Sequence, residues 1–280
     1  MTKLILALIG GASALAAVGV SGQIAPAKVT LTRLDCGTVA ANNLNVFSDT
    51  DAYVGQSKRL VVGCYLIRHG DRVMLWDAGL PAAAKGKAID PKLSMDATLA
   101  RTLPEQLAEL GVKPEQVSIL GISHYHFDHT GQAPSFPDAT LMIGAGDWAA
   151  VSATPPAPGI NPAPLQPWIT GRGKVERVTG DKDVFGDGSV RILDTPGHTP
   201  GHHSLLVRLK NRTVLLTGDL AHFTENYAAN GVPSFNTNRA DTLASLDRFK
   251  KMAANLKATV IIQHEPADVA KLPTFPKAAE

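Results

Sequence analysis

Four side chains that commonly bind metal ions lie within six consecutive positions of this chain. The segment runs from His124 to His129 and includes His126 and Asp128. Three imidazoles and a carboxylate this close together would be costly to bury or to protonate without a ligand. A divalent cation removes both costs, because it takes neutral imidazole nitrogen and carboxylate oxygen as ligands. His124 and His126 are two residues apart, so on an extended segment they point the same way and can share one ion. Asp128 and His129 follow on the next turn and point to a second position.

Three more candidate ligands occur later in the chain. His198 lies in a loop rich in Gly and Pro, Asp219 follows an apolar segment after two small residues, and His264 follows another apolar segment. An aspartate in the position of Asp219 would be expensive to bury without a cation or hydrogen-bond donors. All these residues come just after predicted strands, and loops at one edge of a sheet bring distant side chains together.

The hydrophobic pattern predicts strands mixed with helices. The predicted strands are 28–35, 60–68, 72–76, 116–122, 140–143, 190–193, 213–216 and 258–262. The predicted helices are 103–110, 147–151 and 240–255. This order favours sheets packed between helical layers. His69 is predicted in an exposed hairpin turn. Residues 152–168, rich in Pro and Ala, are predicted to lack regular structure, and we interpret them as a plain surface loop or a lid over the site.

Composition and charge narrow the class of protein. The chain has 280 residues, of which 44% are hydrophobic and 19% charged, as in an ordinary globular protein with one sizeable core or two small ones. The net charge is +2, and Lys and Arg are scattered rather than clustered. The sequence therefore indicates no nucleic-acid partner.

The first residues have the pattern of an export signal. Lys3 precedes an apolar stretch over residues 4–20, and the small residues Ser21 and Gly22 follow it. We expect a signal peptide over residues 1–22 and a mature chain from residue 23, periplasmic or secreted and without stable membrane insertion. A retained membrane anchor is the alternative, although the stretch is shorter than the roughly 20 strongly apolar residues that a span prefers. Cys36 and Cys64 could pair in an oxidising compartment or stay as buried thiols, and the sequence leaves both open.

The metal pattern as a whole resembles the metallo-β-lactamase superfamily of dinuclear hydrolases. Within it, the chain is similar to the quorum-quenching N-acyl homoserine lactonases. The shared stretches are 64–66, 76–79, 124–129, 194–202 and 224–226, and the likeness covers roughly residues 29–270. The resemblance implies an α/β fold of the αββα type, in which two mixed β-sheets are flanked by helices, as a single hydrolase domain over residues 23–280.

The resemblance also implies a role for each candidate ligand. His124, His126 and His198 would hold the first metal, Asp128, His129 and His264 the second, and Asp219 would bridge them. Asp77 is implied to orient a ligand. Two divalent ions, zinc by default with cobalt, manganese or iron also suited to nitrogen and oxygen ligands, would promote attack of a bridging hydroxide on a small lactone. Asp128 would pass a proton to the leaving group.

One position departs from the lactonase pattern. His222 stands where the lactonases carry a tyrosine that contacts the substrate carbonyl. A histidine can also donate a hydrogen bond to a developing oxyanion, so Asp128 and His222 are the candidate catalytic residues. A polar residue with no catalytic part is the alternative for His222. We interpret His202 as structural support for the ligand loop and His203 as ordinary strand surface.

Other functions stay open for the same pattern. They are a β-lactamase of the three-histidine type, a thioesterase resembling glyoxalase II, a redox di-iron protein and a non-catalytic metal-binding scaffold. Asp219 argues against the first, because that group usually lacks a bridging carboxylate. The C-terminus has only Lys271 and Lys277 where the thioesterases often carry a basic tail, and His126 stands where the di-iron proteins typically carry Glu. The sequence leaves a homodimer open.

Overall fold

The computed structural model describes Met1 and residues 27–280. The signal peptide predicted over residues 1–22 falls almost entirely outside these residues. Within the described part of the chain, no helix combines the length and the apolar character needed to cross a membrane.

Seven strands form the first sheet. They are β1 (Val29–Ala41), β2 (Lys58–His69), β3 (Arg72–Trp76), β4 (Met95–Thr98), β5 (Ile119–Gly121), β6 (Thr140–Gly144) and β7 (Val175–Val178). Their order across the sheet is β4-β1-β2-β3-β5-β6-β7. The pairs at the β4 end are antiparallel, whereas β3, β5, β6 and β7 run parallel to one another.

Five strands form the second sheet. They are β8 (Lys182–Asp183), β9 (Val190–Asp194), β10 (His203–Arg208), β11 (Thr213–Leu216) and β12 (Thr259–Ile261). Their order is β12-β11-β10-β9-β8, and only β11 and β12 run parallel. Both sheets are therefore mixed, as the resemblance implied.

Seven α-helices accompany the sheets in the described part of the chain. They are α1 (Leu103–Glu109), α2 (Phe127–Thr130), α3 (Ala145–Ser152), α4 (Gln166–Ile169), α5 (Thr224–Ala229), α6 (Arg239–Leu256) and α7 (Pro266–Val269). The longest, α6, begins after Asn238, whose side chain accepts a hydrogen bond from the backbone N–H of Asp241 and so caps the helix. Its buried residues recur at helical spacing, which gives the helix one apolar face; they are Thr242, Ser245, Leu246, Phe249 and Ala253.

Alternation along the strands explains how the layers stack. On β10, Leu205 and Val207 pack against the first sheet, whereas Leu206 between them packs with α6. The opposite face of the first sheet is covered by α1, α3 and α4, through residues such as Leu107 and Trp168. The result is a helix–sheet–sheet–helix sandwich with three apolar layers, and the predicted αββα architecture is confirmed.

Cys36 of β1 and Cys64 of β2 form a disulfide, with their Cα atoms 5.8 Å apart. Both side chains are fully buried. The disulfide therefore joins the first two strands, and it settles the pairing that the sequence left open.

Candidate metal centre

All seven predicted metal ligands lie together at one edge of the sandwich. His124 and His126 follow β5, and Asp128 and His129 lie in α2 directly after them. The other three follow β9, β11 and β12 in turn; they are His198, Asp219 and His264. The carboxyl ends of these strands meet at the same edge, so short loops bring remote residues together.

The first group of ligand atoms contains three imidazole nitrogens. Nδ1 of His126 lies 2.9 Å from Nε2 of His124 and 3.0 Å from Nε2 of His198. Oδ2 of Asp219 lies 3.6 Å and 3.5 Å from the same two Nε2 atoms. Ligands around one tetrahedral zinc are separated by about 3.3 Å when each lies about 2.0 Å from the ion. The group therefore has the spacing of a single metal site.

The second group lies on the other side of the Asp219 carboxylate. Oδ1 of Asp219 lies 3.1 Å from Nε2 of His129 and 2.9 Å from Nε2 of His264. Oδ2 of Asp128 lies 3.7 Å from each of these two nitrogens. Because Asp219 turns one oxygen to each group, it has the geometry of a bridging ligand.

Burial controls the protonation of the first group. It lowers the pKa of His124 and of His198 well below the usual value, and neighbouring histidines lower both further against the opposing effect of Asp219. Burial also lowers the pKa of His126. These rings are therefore neutral at pH 7 and keep a lone pair that a cation can accept.

In the second group, the carboxylates together have the largest influence on histidine protonation. Burial lowers the pKa of His129, but Asp219, Asp128 and Asp77 outweigh it and raise the pKa well above the usual value. Burial raises the pKa of Asp219, and the surrounding histidines outweigh it and hold that pKa well below the usual range. In the absence of a cation a proton thus supplies the positive charge that the carboxylates require.

An orphaned nitrogen supports the assignment to a metal. Nε2 of His129 is buried and has no hydrogen-bond partner within the described part of the chain, although it faces Asp219 and Asp128. A buried polar atom without a partner is costly unless an ion or water contacts it. The neutral nitrogens, the carboxylate oxygens and this orphaned atom therefore fit two divalent cations.

Residues behind the ligands fix their orientation. Oδ2 of Asp77 accepts hydrogen bonds from Nδ1 of His129 at 2.9 Å and from Nε2 of Gln263 at 2.5 Å, and Oδ1 accepts one from the backbone of Ser123 at 2.7 Å. The backbone of Asp77 has a φ of 60°, which residues other than glycine rarely adopt. The contact between Asp77 and a ligand, implied by the resemblance, is present. Gln263 was missed in the sequence, because its partners lie about 200 positions away along the chain.

His202 and His203 have different roles from each other. Nδ1 of His202 donates to the carbonyl of Thr195 at 2.9 Å, and its Nε2 accepts from the backbone N–H of Asp219 at 2.9 Å. His202 therefore supports the ligand loops, as predicted. The prediction that His203 lies on the strand surface is wrong, because His203 is only 1% exposed. The reason is that β10 is the middle strand of the second sheet and is covered on both faces.

The prediction for His69 is also corrected. It is the last residue of β2 rather than a turn residue, and its side chain is only 13% exposed. Its ring stacks on that of Phe185 at 4.2 Å, and Nε2 lies 2.7 Å from Oδ2 of Asp187. His69 is therefore part of a structural contact between the two sheets.

His222 lies beside the first group of ligands. Its Nε2 is 3.1 Å from Oδ2 of Asp219, and its ring packs against that of Phe47 at 4.8 Å. The residue is buried, and neither ring nitrogen has a hydrogen-bond partner among the described residues. The ring therefore presents free polar atoms at the position that the sequence singled out.

A cavity opens over the two ligand groups. Its walls are apolar, and its floor is formed by His126, Asp128, Asp219, His222 and His264. The wall residues are Val39, Phe47, Leu60, Met95, Phe127 and Phe235. No Lys or Arg of the described chain lines it. Residues 152–168 do not contribute to it either, so the structure does not support the lid interpretation for that segment.

Comparisons with known proteins agree with this geometry. Residues 58–264 match the family model described as the metallo-beta-lactamase superfamily. The N-acyl homoserine lactonase AttM of Rhizobium radiobacter is 32% identical over 190 residues, covering 61% of this chain and 68% of AttM. An N-acyl homoserine lactonase of a Bacillus species is 28% identical over 231 residues, covering 80% of this chain and 88% of that protein.

The fold is also similar to that of solved structures. A quorum-quenching N-acyl homoserine lactone hydrolase superimposes with a TM-score of 0.77 at 23% identity, covering 91% of this chain and 99% of that one. The dizinc quorum-quenching lactonase AidC, solved with a product, superimposes with a TM-score of 0.66 at 19% identity, covering 91% of each chain. At these identities the likeness concerns the fold.

Proposed function

Because this chain belongs to the metallo-β-lactamase superfamily of hydrolases, we propose that it opens the lactone ring of N-acyl homoserine lactones with the help of two divalent metal ions. One observation carries the proposal. The carboxylate of Asp219 turns one oxygen to each of two ligand groups, and both groups lie on the floor of an apolar cavity. The names of the relatives support the choice of substrate.

The charge of the cavity argues for a neutral substrate. An N-acyl homoserine lactone has no charged group, and its acyl chain would contact apolar walls such as Phe47 and Met95. Penicillins, cephalosporins and glutathione thioesters carry carboxylates, which need a cationic partner when they are desolvated. Since no Lys or Arg of the described chain lines the cavity, the β-lactamase and thioesterase alternatives are less well supported.

The mechanism follows from the ligand set. When bound, the two ions would lower the pKa of a water toward neutrality and so supply hydroxide at neutral pH. His124, His126 and His198 would hold the first ion, Asp128, His129 and His264 the second, and Asp219 both. Zinc is the default, and a nitrogen and oxygen ligand set also suits cobalt, manganese or iron.

Two side chains would assist the bond changes. The ring of His222, whose Nε2 lies 3.1 Å from Oδ2 of Asp219, would donate a hydrogen bond to the lactone carbonyl oxygen as hydroxide adds and negative charge develops. As the ring C–O bond breaks, Asp128 would pass to the departing alkoxide oxygen the proton that it took up when the water ionised. The product is the ring-opened hydroxy acid.

A substrate panel tests this function. Purified, metal-loaded protein is given N-acyl homoserine lactones of several chain lengths, a cephalosporin and a glutathione thioester, each with and without a chelator. We expect ring opening of the lactones alone, loss of that activity on chelation and its return when metal is restored. Turnover of the cephalosporin or the thioester without lactone hydrolysis would refute the proposal.

We further propose that the protein is exported, with cleavage of the signal peptide near residue 22. The disulfide between Cys36 and Cys64 supports this, because disulfides persist mainly in oxidising compartments. N-terminal sequencing of protein from a periplasmic fraction should give a start near residue 23. Full-length protein confined to the cytoplasm would contradict export.

A further inference from the structure

A carboxylate outside the ligand set is buried beside the metal centre. Asp147 lies in the first turn of α3 and is 0% exposed. Its Oδ1 accepts a hydrogen bond from the backbone N–H of Gly201 at 2.6 Å. Its Oδ2 accepts from the backbone N–H of Tyr125 at 3.2 Å and from Oγ1 of Thr199 at 2.8 Å. No cationic side chain of the described residues contacts this buried carboxyl group, so the three donors are its polar partners there.

The three donors belong to the loops that carry one half of the metal centre. Tyr125 lies between His124 and His126, and Thr199 follows His198 directly. Asp147 therefore joins the loop after β5 to the loop after β9 through a single side chain. These two loops supply all three histidines of the first ligand group.

The backbone around Asp147 packs closely against the loop after β9. A Cβ atom on Gly144 would overlap the carbonyl oxygen of Gly201, and one on Gly201 would overlap the backbone nitrogen of Asp147. A Cβ on Gly146 would lie 2.8 Å from the carbonyl oxygen of Pro200. The start of α3 is thus in direct contact with the loop that follows His198, and only glycine fits at the contact.

The second ligand group has separate support. His129 is held by Asp77 and Gln263, and Nδ1 of His264 donates to the carbonyl of Val61 at 2.8 Å. None of these contacts involves Asp147. Ser123 contacts both halves, because its Oγ lies 3.0 Å from Nδ1 of His124 and 3.0 Å from Nδ1 of His129. Asp147, in contrast, contacts only the loops that carry the first ligand group.

We propose that Asp147 is a positioning residue that sets the spacing of His124, His126 and His198 and thereby selectively controls the affinity of the first metal site. This inference concerns metal binding and does not depend on which substrate the enzyme hydrolyses. Residues that orient metal ligands typically alter metal affinity by about 10- to 100-fold when they are mutated. Asp147 should have an effect of this size on one ion of the pair.

The test measures each site separately in Asp147→Asn. Asparagine keeps the shape of the side chain. Its NH2 group is a donor, however, and would face N–H or O–H groups that donate hydrogen bonds to a carboxylate oxygen in the wild type. Two cadmium-113 resonances report the two sites, because the site with three histidines is more deshielded than the site with two. Competition with a chelator gives each affinity. We expect the affinity of the three-histidine site to fall by about 10- to 100-fold and that of the other site to stay within about twofold of the wild-type value.

Two controls separate positioning from general damage. Asp183→Asn removes a carboxylate that also accepts backbone hydrogen bonds, but from Gly186 and Gly188 in the turn between β8 and β9, and it should leave both affinities unchanged. Thr199→Val removes one donor to Asp147 with little change of shape, whereas Thr199→Ser keeps the hydroxyl. We expect Thr199→Val to weaken metal binding at the three-histidine site and Thr199→Ser to retain the wild-type affinity. If Asp147→Asn does not fold, these two variants test the positioning role of Asp147. Equal loss at both sites, or no loss in either Asp147→Asn or Thr199→Val, would overturn the proposal.

Discussion

At the scale of single residues, the metal centre depends on which ring nitrogen each histidine presents. Nδ1 of His264 donates to the carbonyl of Val61, so Nε2 is the nitrogen that faces Asp219 and that an ion would contact. Nδ1 of His129 faces Asp77, which leaves its Nε2 toward the same carboxylate. Partners behind the ligands thus fix which ring nitrogen each histidine presents to an ion.

The proton transfer assigned to Asp128 can be tested by Asp128→Asn. The amide oxygen can still act as a ligand, but the side chain no longer exchanges a proton at neutral pH. We expect kcat to fall by about 10²- to 10⁴-fold, as for other general acids, with two ions still bound. Steady-state kinetics and metal analysis on the same samples measure both quantities. Full turnover by a variant that retains both ions would disprove this role.

His222 is tested by substitution with Ala and with Tyr. If its ring donates to the developing oxyanion, His222→Ala should lower kcat by about 100-fold with little change in KM. His222→Tyr supplies another donor and should recover much of that loss. Metal content should stay constant in both variants. A drop in bound metal would instead identify His222 as a ligand.

At the scale of elements, β10 shows how sheet position changes the chemistry of a side chain. Burial lowers the pKa of His203 to about 4, although Asp181 partly opposes this effect. In the unfolded chain the same ring titrates near 6.5. Between these pH values the unfolded state binds a proton that the folded state does not. The contribution of His203 to stability is therefore lost as the pH falls from about 6.5 to about 4.

His203→Phe should remove that part of the pH dependence. We expect its free energy of unfolding to depend less steeply on pH than that of the wild type, by up to about 1.4 kcal/mol per pH unit within this window. Urea unfolding at several pH values, with a chelator present in both samples, measures the difference and excludes release of metal. Parallel curves for the two proteins would show that His203 is protonated to the same extent in both states.

Elements that carry their signal locally could be predicted from the sequence. The strand and helix predicted over residues 213–216 and 240–255 agree closely with β11 and α6, because apolar periodicity marks them. In contrast, β4, β7 and β8 were missed, since each is short and is held in place by pairing with a neighbour. The bounds of β10 were not predicted either, although His203 was expected on a strand. The metal ligands could be predicted because four of them lie within six consecutive positions. Asp147 was not, because its partners lie 22 to 54 positions away.

At the scale of the whole molecule, the metal centre joins loops from both sheets, so bound ions should stabilise the entire fold. A ligand that binds only the folded state stabilises it by about 4 kcal/mol at a concentration 1,000 times its Kd. We expect a chelator to lower the midpoint of urea unfolding and excess zinc to restore it. Circular dichroism measured during urea titration detects the change. Identical midpoints with and without metal would show that the ions do not bind preferentially to the folded chain.

The disulfide should stabilise the molecule without contributing to its chemistry. Cys36 and Cys64 are 28 residues apart, and a bond that closes a loop of this size typically stabilises by about 2–4 kcal/mol, chiefly by restricting the unfolded chain. Neither cysteine lines the cavity. The double variant Cys36→Ala/Cys64→Ala should therefore unfold at lower urea concentration but keep the wild-type kcat once it is folded and metal-loaded.

Wild-type protein treated with a reductant under denaturing conditions and refolded without oxidant is the matched control, and it should show the same lower stability. Two free thiols in denatured, unreduced protein from an oxidising compartment would contradict both the disulfide and its support for export.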